Sequence, residues 1–200
     1  MKTTTKLFAA VLFFILVLNL YKCTIITETP GFYSGYSKLS EPNRNLIAIT
    51  ESNAPSERIE FSETKKIVSI TGEQLNNYIK KSSNAIVYLW SPNCRSEECV
   101  AINVLQESIK AGGYDLFIVA EYLSDDIFSQ IQIGDKVFWP NVKYYRTDYC
   151  NKYMKLFLSD LTGNGKTPIQ NKYLVFHYGV FVDDCSYEVC LSKAAQQNHK

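Results

Sequence analysis

Residues 85–99 read AIVYLWSPNCRSEEC. Ala85–Trp90 is an unbroken run of apolar, β-branched and aromatic side chains, as expected of a strand buried on both faces of a parallel sheet. Ser91-Pro92-Asn93 breaks it, and Cys94 follows four residues after Trp90. Beyond the break the pattern predicts a helix from about Ser96 to Lys110, ended by Gly112-Gly113. A cysteine at a helix N-terminus sits beside unpaired N–H groups and the positive end of the helix dipole, which favour its thiolate. Arg95 adds to that effect, whereas Glu97 and Glu98 oppose it.

The flanking sequence alternates in the same way. Ile67–Ile70 is a β-branched run, and Thr71 is placed to cap a helix with Leu75, Tyr78 and Ile79 on one face. Leu116–Ala120 (LFIVA) predicts a second buried strand, and Ser124-Asp125-Asp126 a helix start. Val137–Tyr145 reads as extended and Asp148–Leu161 as helical. Tyr173–Phe176 and Val180–Val182 are joined by a turn at His177-Tyr178-Gly179, and a closing helix is expected over residues 186–196. Strands alternating with helices, then a hairpin, define an α/β fold: a central mixed sheet flanked by helices.

Composition bounds the function classes. The chain has 200 residues, 46% of them hydrophobic, with 21 basic against 20 acidic side chains. That excludes a disordered chain and gives no footprint for a phosphate backbone, so no nucleic-acid partner is expected. The charge is uneven. Lys2, Lys6 and Lys22 fall in the first 23 residues, where there is no acid, leaving 18 basic and 20 acidic groups beyond.

Those 23 residues form a leader. Leu7–Tyr21 (LFAAVLFFILVLNLY) is apolar except for Asn19 and follows Lys2 and Lys6, the layout of an export signal or anchor. As a helix it extends about 22 Å, short of a full hydrocarbon core. Leu20-Tyr21-Lys22-Cys23 resembles a bacterial lipoprotein signal acylated at Cys23, with Lys22 where a small residue belongs. Cleavage, lipidation at Cys23 and an uncleaved anchor all fit. Each puts the remaining chain on the extracytoplasmic side of the membrane, in the cell envelope. Residues 24–65, rich in Ser, Thr, Glu and Pro, read as an extended tether with one short strand at Leu46–Ile49. The domain is expected over residues 66–200.

The order βαβαβα followed by ββα, together with Trp90 and Cys94 at their spacing and Phe176-His177-Tyr178-Gly179-Val180 as the hairpin, resembles the thioredoxin-like superfamily over roughly residues 66–196. The resemblance implies a thioredoxin-like fold and thiol–disulfide exchange with protein thiols or disulfides, carried by Cys94, with Cys99, Cys150 or a partner thiol resolving the mixed disulfide. It also implies a cis-proline before the hairpin, for which Pro168 is the candidate. The sequence departs from the family's C-x-x-C: Glu97 stands in the resolving position and the next cysteine is Cys99. On a helix Cys99 shares a face with Ile102, Gln106 and Ile109 and would be a buried small side chain. A Cys94–Cys99 bridge closes only if Cys94 lies in the loop before the helix. The alternative function is a redox-inactive binding or scaffolding module on the same fold.

Of the other cysteines, Cys185 and Cys190 repeat the same spacing, Cys150 lies in the irregular region, and their pairing stays open. Outside the cytoplasm one or two bridges are expected. No cofactor is implied. A copper site from Cys94, Cys99 and His177 is the one metal reading, disfavoured by spacing. Gly163-Asn164-Gly165-Lys166 lacks the features of a phosphate loop and reads as a turn. The tyrosine-rich stretch Tyr144–Tyr153 is either a partner surface or a half-buried face.

Overall fold

The computed structural model describes residues 31–51, 66–94, 96, 99–132, 135–163, 165, 169–190 and 192. The leader with Cys23, Glu97 and Pro168 lie outside the described residues. Among the described residues there is no cis peptide bond, and no helix is long and apolar enough to cross a membrane.

Strands β1 (Ile47–Ile49), β2 (Ile67–Ile70), β3 (Asn84–Trp90), β4 (Asp115–Ala120), β5 (Val137–Pro140), β6 (Tyr173–His177) and β7 (Val180–Cys185) form one sheet in the order β1-β2-β5-β4-β3-β6-β7. The first five positions run parallel, and β6 and β7 are antiparallel additions. The α/β class and the mixed sheet are as expected. The place of β5 is not: it enters between β2 and β4, pairing Ile67–Ile70 along its whole length but β4 only at Ile118 and Val119.

The helices are α1 (Glu41–Arg44), α2 (Gly72–Ile79), α3 (Ile102–Ala111), α4 (Ile127–Gln130), α5 (Val142–Tyr145) and α6 (Cys150–Thr162), with one turn of 3-10 helix at Tyr36–Lys38. Residues 187–190 are also helical. Alternate residues of each strand feed opposite faces of the sheet. Ile86, Tyr88 and Trp90 pack with Ile102, Leu105 and Ile109 of α3. Ala85, Val87 and Leu89 pack with Leu75 and Ile79 of α2 and Tyr153, Phe157 and Leu161 of α6. Each fully buried aliphatic side chain among these contributes about 1.5–3 kcal/mol relative to exposure.

Local chemistry sets the element ends. Thr71 caps α2 as the sequence predicts, in a reciprocal capping box with Gln74. Gly72 is required by a close crossing: a Cβ there would lie 2.1 Å from the Phe157 carbonyl oxygen of α6. The extended reading of Val137–Tyr145 ends at Pro140. Asn141 then accepts the Tyr144 N–H at 3.1 Å and turns the chain into α5.

The largest correction concerns residues 31–51, which are not a free tether. Ser34 N–H donates to the Asp148 carbonyl at 3.0 Å, Leu123 N–H to the Ser34 carbonyl at 2.7 Å, and Cys150 N–H to the Phe32 carbonyl at 3.0 Å. The segment is thus laced between the end of β4 and the start of α6. Tyr36 then stacks on Trp139 at 5.5 Å, Leu39 is buried to 2% exposure, and β1 extends the sheet. Gly35 permits this passage: it has φ 77°, and a Cβ would meet the Leu123 carbonyl oxygen at 1.9 Å.

Candidate functional site

β3 and β4 end together, and the chain leaves both at the C-terminal edge of the parallel strands. Ligands in open α/β sheets collect at this edge, because loops there connect to helices on both faces. Ser91 follows β3, Glu121 follows β4, and Lys172 precedes β6. Backbone bonds fix all three: Glu121 N–H donates to the Trp90 carbonyl, and Leu89 N–H to the Lys172 carbonyl, each at 2.8 Å. Their side chains converge. Ser91 Oγ donates to Glu121 Oε2, and Lys172 Nζ donates to Ser91 Oγ and lies 3.3 Å from Glu121 Oε2.

Beyond Ser91 the chain turns tightly, with Cys94 N–H donating to the Ser91 carbonyl at 3.0 Å. Cys94 and Cys99 form a disulfide with Cα atoms 5.9 Å apart. Five residues of α-helix rise about 7.5 Å, so this pair cannot stand on one. α3 accordingly starts at Ile102, after both cysteines, and its N-cap Ala101 supplies no side-chain cap. Two expectations are corrected together. Cys94 is not at a helix N-terminus, and Cys99 is a half-buried loop residue rather than part of the α3 core face. Ser96 Oγ lies 3.2 Å from Cys94 Sγ and 3.5 Å from Cys99 Sγ, placing one hydroxyl donor between the two sulfurs.

A cleft of about 480 Å³ opens beside this loop, lined by Ser91, Asn93, Cys94, Glu121, Tyr122 and Cys150 among others. Cys150 opens α6 and is buried; its Sγ donates to the Glu121 carbonyl at 3.4 Å. Burial pushes the Cys150 thiol up and the Glu121 charge adds to this, while the Tyr153 hydroxyl and Lys172 act against them. Tyr122, whose phenol burial also pushes up, accepts the Asn93 N–H at 3.1 Å and ties the loop to β4.

The remaining candidates lie elsewhere. Cys185 and Cys190 form a second disulfide, both buried, pinning β7 to the helical residues 187–190. His177 faces Asn84 at 2.5 Å, at the opposite end of β3 from Cys94. The seven-residue strand separates them by roughly 20 Å, so Cys94, Cys99 and His177 share no site. Among the described residues no cluster of His, Cys, Asp or Glu is placed to hold a metal ion. In the tyrosine-rich stretch, Tyr145 and Tyr153 are core residues.

Sequence reasoning missed Glu121 and Lys172. The available signal was positional: an acid directly after LFIVA, and a base directly before YLVF, mark the ends of buried strands. No protein-family model, curated protein or solved structure matches this chain.

Proposed function

We propose that this chain is a thioredoxin-like protein of the cell envelope that exchanges disulfides with other proteins through Cys94 and Cys99. The observation that carries this reading is the Cys94–Cys99 disulfide itself, half-buried beyond the C-terminal end of β3, with Cys94 lining a cleft. The parallel strands followed by the β6–β7 hairpin, with Trp90 four residues before Cys94, support the family assignment. The β5 insertion is a departure from it. Two disulfides within one domain favour an oxidising compartment, in keeping with a basic, apolar leader that anchors the chain and leaves the domain outside the cytoplasm.

In the exchange, a partner's thiolate attacks one sulfur of the pair, a mixed disulfide forms, and the other sulfur leaves as thiolate. Ser96 Oγ–H can hydrogen-bond whichever sulfur leaves. The test is a glutathione redox titration of the full chain with acid-quenched alkylation of Cys94 and Cys99, alongside an insulin reduction assay. Reversible opening of the pair with turnover is expected; an inert pair with no turnover overturns the reading. The second reading, a redox-inactive binding or scaffolding module, draws on the start of α3 at Ile102, which withholds the helix N-terminus from both sulfurs. An inert Cys94–Cys99 bond in the same titration selects it.

A further inference from the structure

Three cysteines, not two, stand at this edge of the sheet. Cys94 and Cys150 line the same cleft, one from the loop after β3 and the other from the first turn of α6. They are linked through Glu121: the Cys150 thiol donates to its carbonyl, its carboxylate holds Ser91 Oγ, and the Ser91 carbonyl holds the Cys94 N–H. Of the disulfide's two partners, Cys94 lines the cleft and Cys99 does not. An attacker in the cleft therefore approaches Cys94, and attack at its Sγ expels Cys99.

We infer that Cys150 is a third member of the exchange site, an internal nucleophile that converts the Cys94–Cys99 disulfide into Cys94–Cys150 and releases Cys99 as a thiol. This rests on the exchange reading above and adds a residue and a reaction to it. The step balances without any outside reagent. Cys150 gives up its proton to solvent and its thiolate attacks Cys94 Sγ. The Cys94–Cys150 bond forms, the Cys94–Cys99 bond breaks, and the electron pair leaves on Cys99, which takes up a proton. One disulfide and one thiol are present before and after.

The consequence is a choice of which thiol is displayed. With Cys94–Cys99 closed, the spare thiol is buried, and burial raises its pKa. After the exchange the spare thiol is Cys99, in a half-buried loop. The chain can then attack a disulfide of a partner protein without first being reduced. That is the requirement for rearranging mispaired disulfides rather than only reducing them.

The gate is electrostatic and steric. Cys150 begins a 13-residue helix, whose N-terminus favours a thiolate, and Lys172 acts in the same direction. Burial opposes both and is the larger influence, and with the Glu121 charge it holds the thiol above its ordinary value.

The experiment uses the full chain. The Cys99→Ser variant is treated with oxidised glutathione, acid-quenched at intervals and mapped by mass spectrometry. Glutathione is expected first on Cys94, then to be expelled as a Cys94–Cys150 disulfide forms, with the loss of both alkylatable thiols. A Cys94–glutathione adduct that persists beside a free Cys150 overturns the inference while leaving the exchange reading intact. If neither glutathione on Cys94 nor a Cys94–Cys150 disulfide forms at any time, both are overturned. Wild-type chain shifted to alkaline pH without added thiol provides a readout independent of the variant's folding. Cys99 is expected to become alkylatable as Cys150 becomes protected, and unchanged labelling of both overturns the inference. Cys185–Cys190 serves as the internal control and should stay closed throughout.

Discussion

Lys172 Nζ stands 3.3 Å from Glu121 Oε2, and both hold Ser91 Oγ, so one ion pair ties the ends of β3, β4 and β6 together. The two side chains are 24% and 25% exposed. Neither is free in solvent, and removing one leaves the other charge partly desolvated. Lys172→Met and Glu121→Gln are each expected to lower unfolding free energy by about 1–3 kcal/mol. The double variant should lose less than the sum of the single losses. Urea melts of the three variants measure this coupling. Strict additivity would show that the pair does not act as a unit.

Differential burial orders the two disulfides. Cys185 and Cys190 are 3% and 1% exposed, whereas Cys94 and Cys99 are half-buried beside an open cleft. Thiolate attack needs access to sulfur. Graded reduction with dithiothreitol, followed by differential alkylation, should therefore open Cys94–Cys99 well before Cys185–Cys190. Simultaneous opening would mean that the chain unfolds before either bond is reached.

The lacing segment gives a contrast that a flexible tether would not. Leu39, at 2% exposure, packs into the same core cluster as Ile67 and Ile118. Leu39→Ala is expected to cost about 2–4 kcal/mol. Gly35→Ala should cost at least as much, since its φ is 77° and its Cβ would meet the Leu123 carbonyl oxygen. Thermal melts decide: a tether residue would leave the midpoint unchanged.

Legibility followed the range of the interactions. The strands and the Thr71 cap were readable because apolar runs and capping chemistry are local. The hairpin at Tyr178 and Gly179 was readable for the same reason. The start of α3 was not, because Ser96 satisfies a helix-start pattern that the Cys94–Cys99 bond forbids. The packing of residues 31–51 depends on Leu123, Trp139 and Asp148, about a hundred residues away, and a Ser/Thr/Pro-rich composition gives no sign of it. β5 was seen as extended, but its place between β2 and β4 is a tertiary fact with no sequence period. At the site, Cys94 was found through its spacing from Trp90. The Glu121–Lys172 pair joins residues 51 positions apart, and no local pattern connects them.

Buried phenols set the alkaline limit of the fold. Tyr88 is fully buried, stacked on Tyr173 at 4.8 Å, and burial pushes its pKa up to about 12. Burial also raises Tyr145, which donates to Asp160 Oδ2 at 2.9 Å, and Tyr153 even more. A phenol whose folded pKa lies above its unfolded value near 10 binds its proton more tightly in the folded chain. The associated stability is complete below about pH 10, where both states are protonated, and is lost as pH rises through the folded value. For Tyr88 alone the loss approaches about 2–3 kcal/mol by roughly pH 12. Tyrosinate absorbance at increasing pH should therefore rise in two phases. The later phase belongs to Tyr88, Tyr145 and Tyr153, in one cooperative step coincident with loss of the far-ultraviolet dichroism signal. A single smooth titration of all tyrosines near pH 10, with the dichroism signal retained, would contradict the burial of Tyr88, Tyr145 and Tyr153. Tyr88→Phe keeps the ring stack and removes the ionisable group, so it should shift the cooperative step to higher pH.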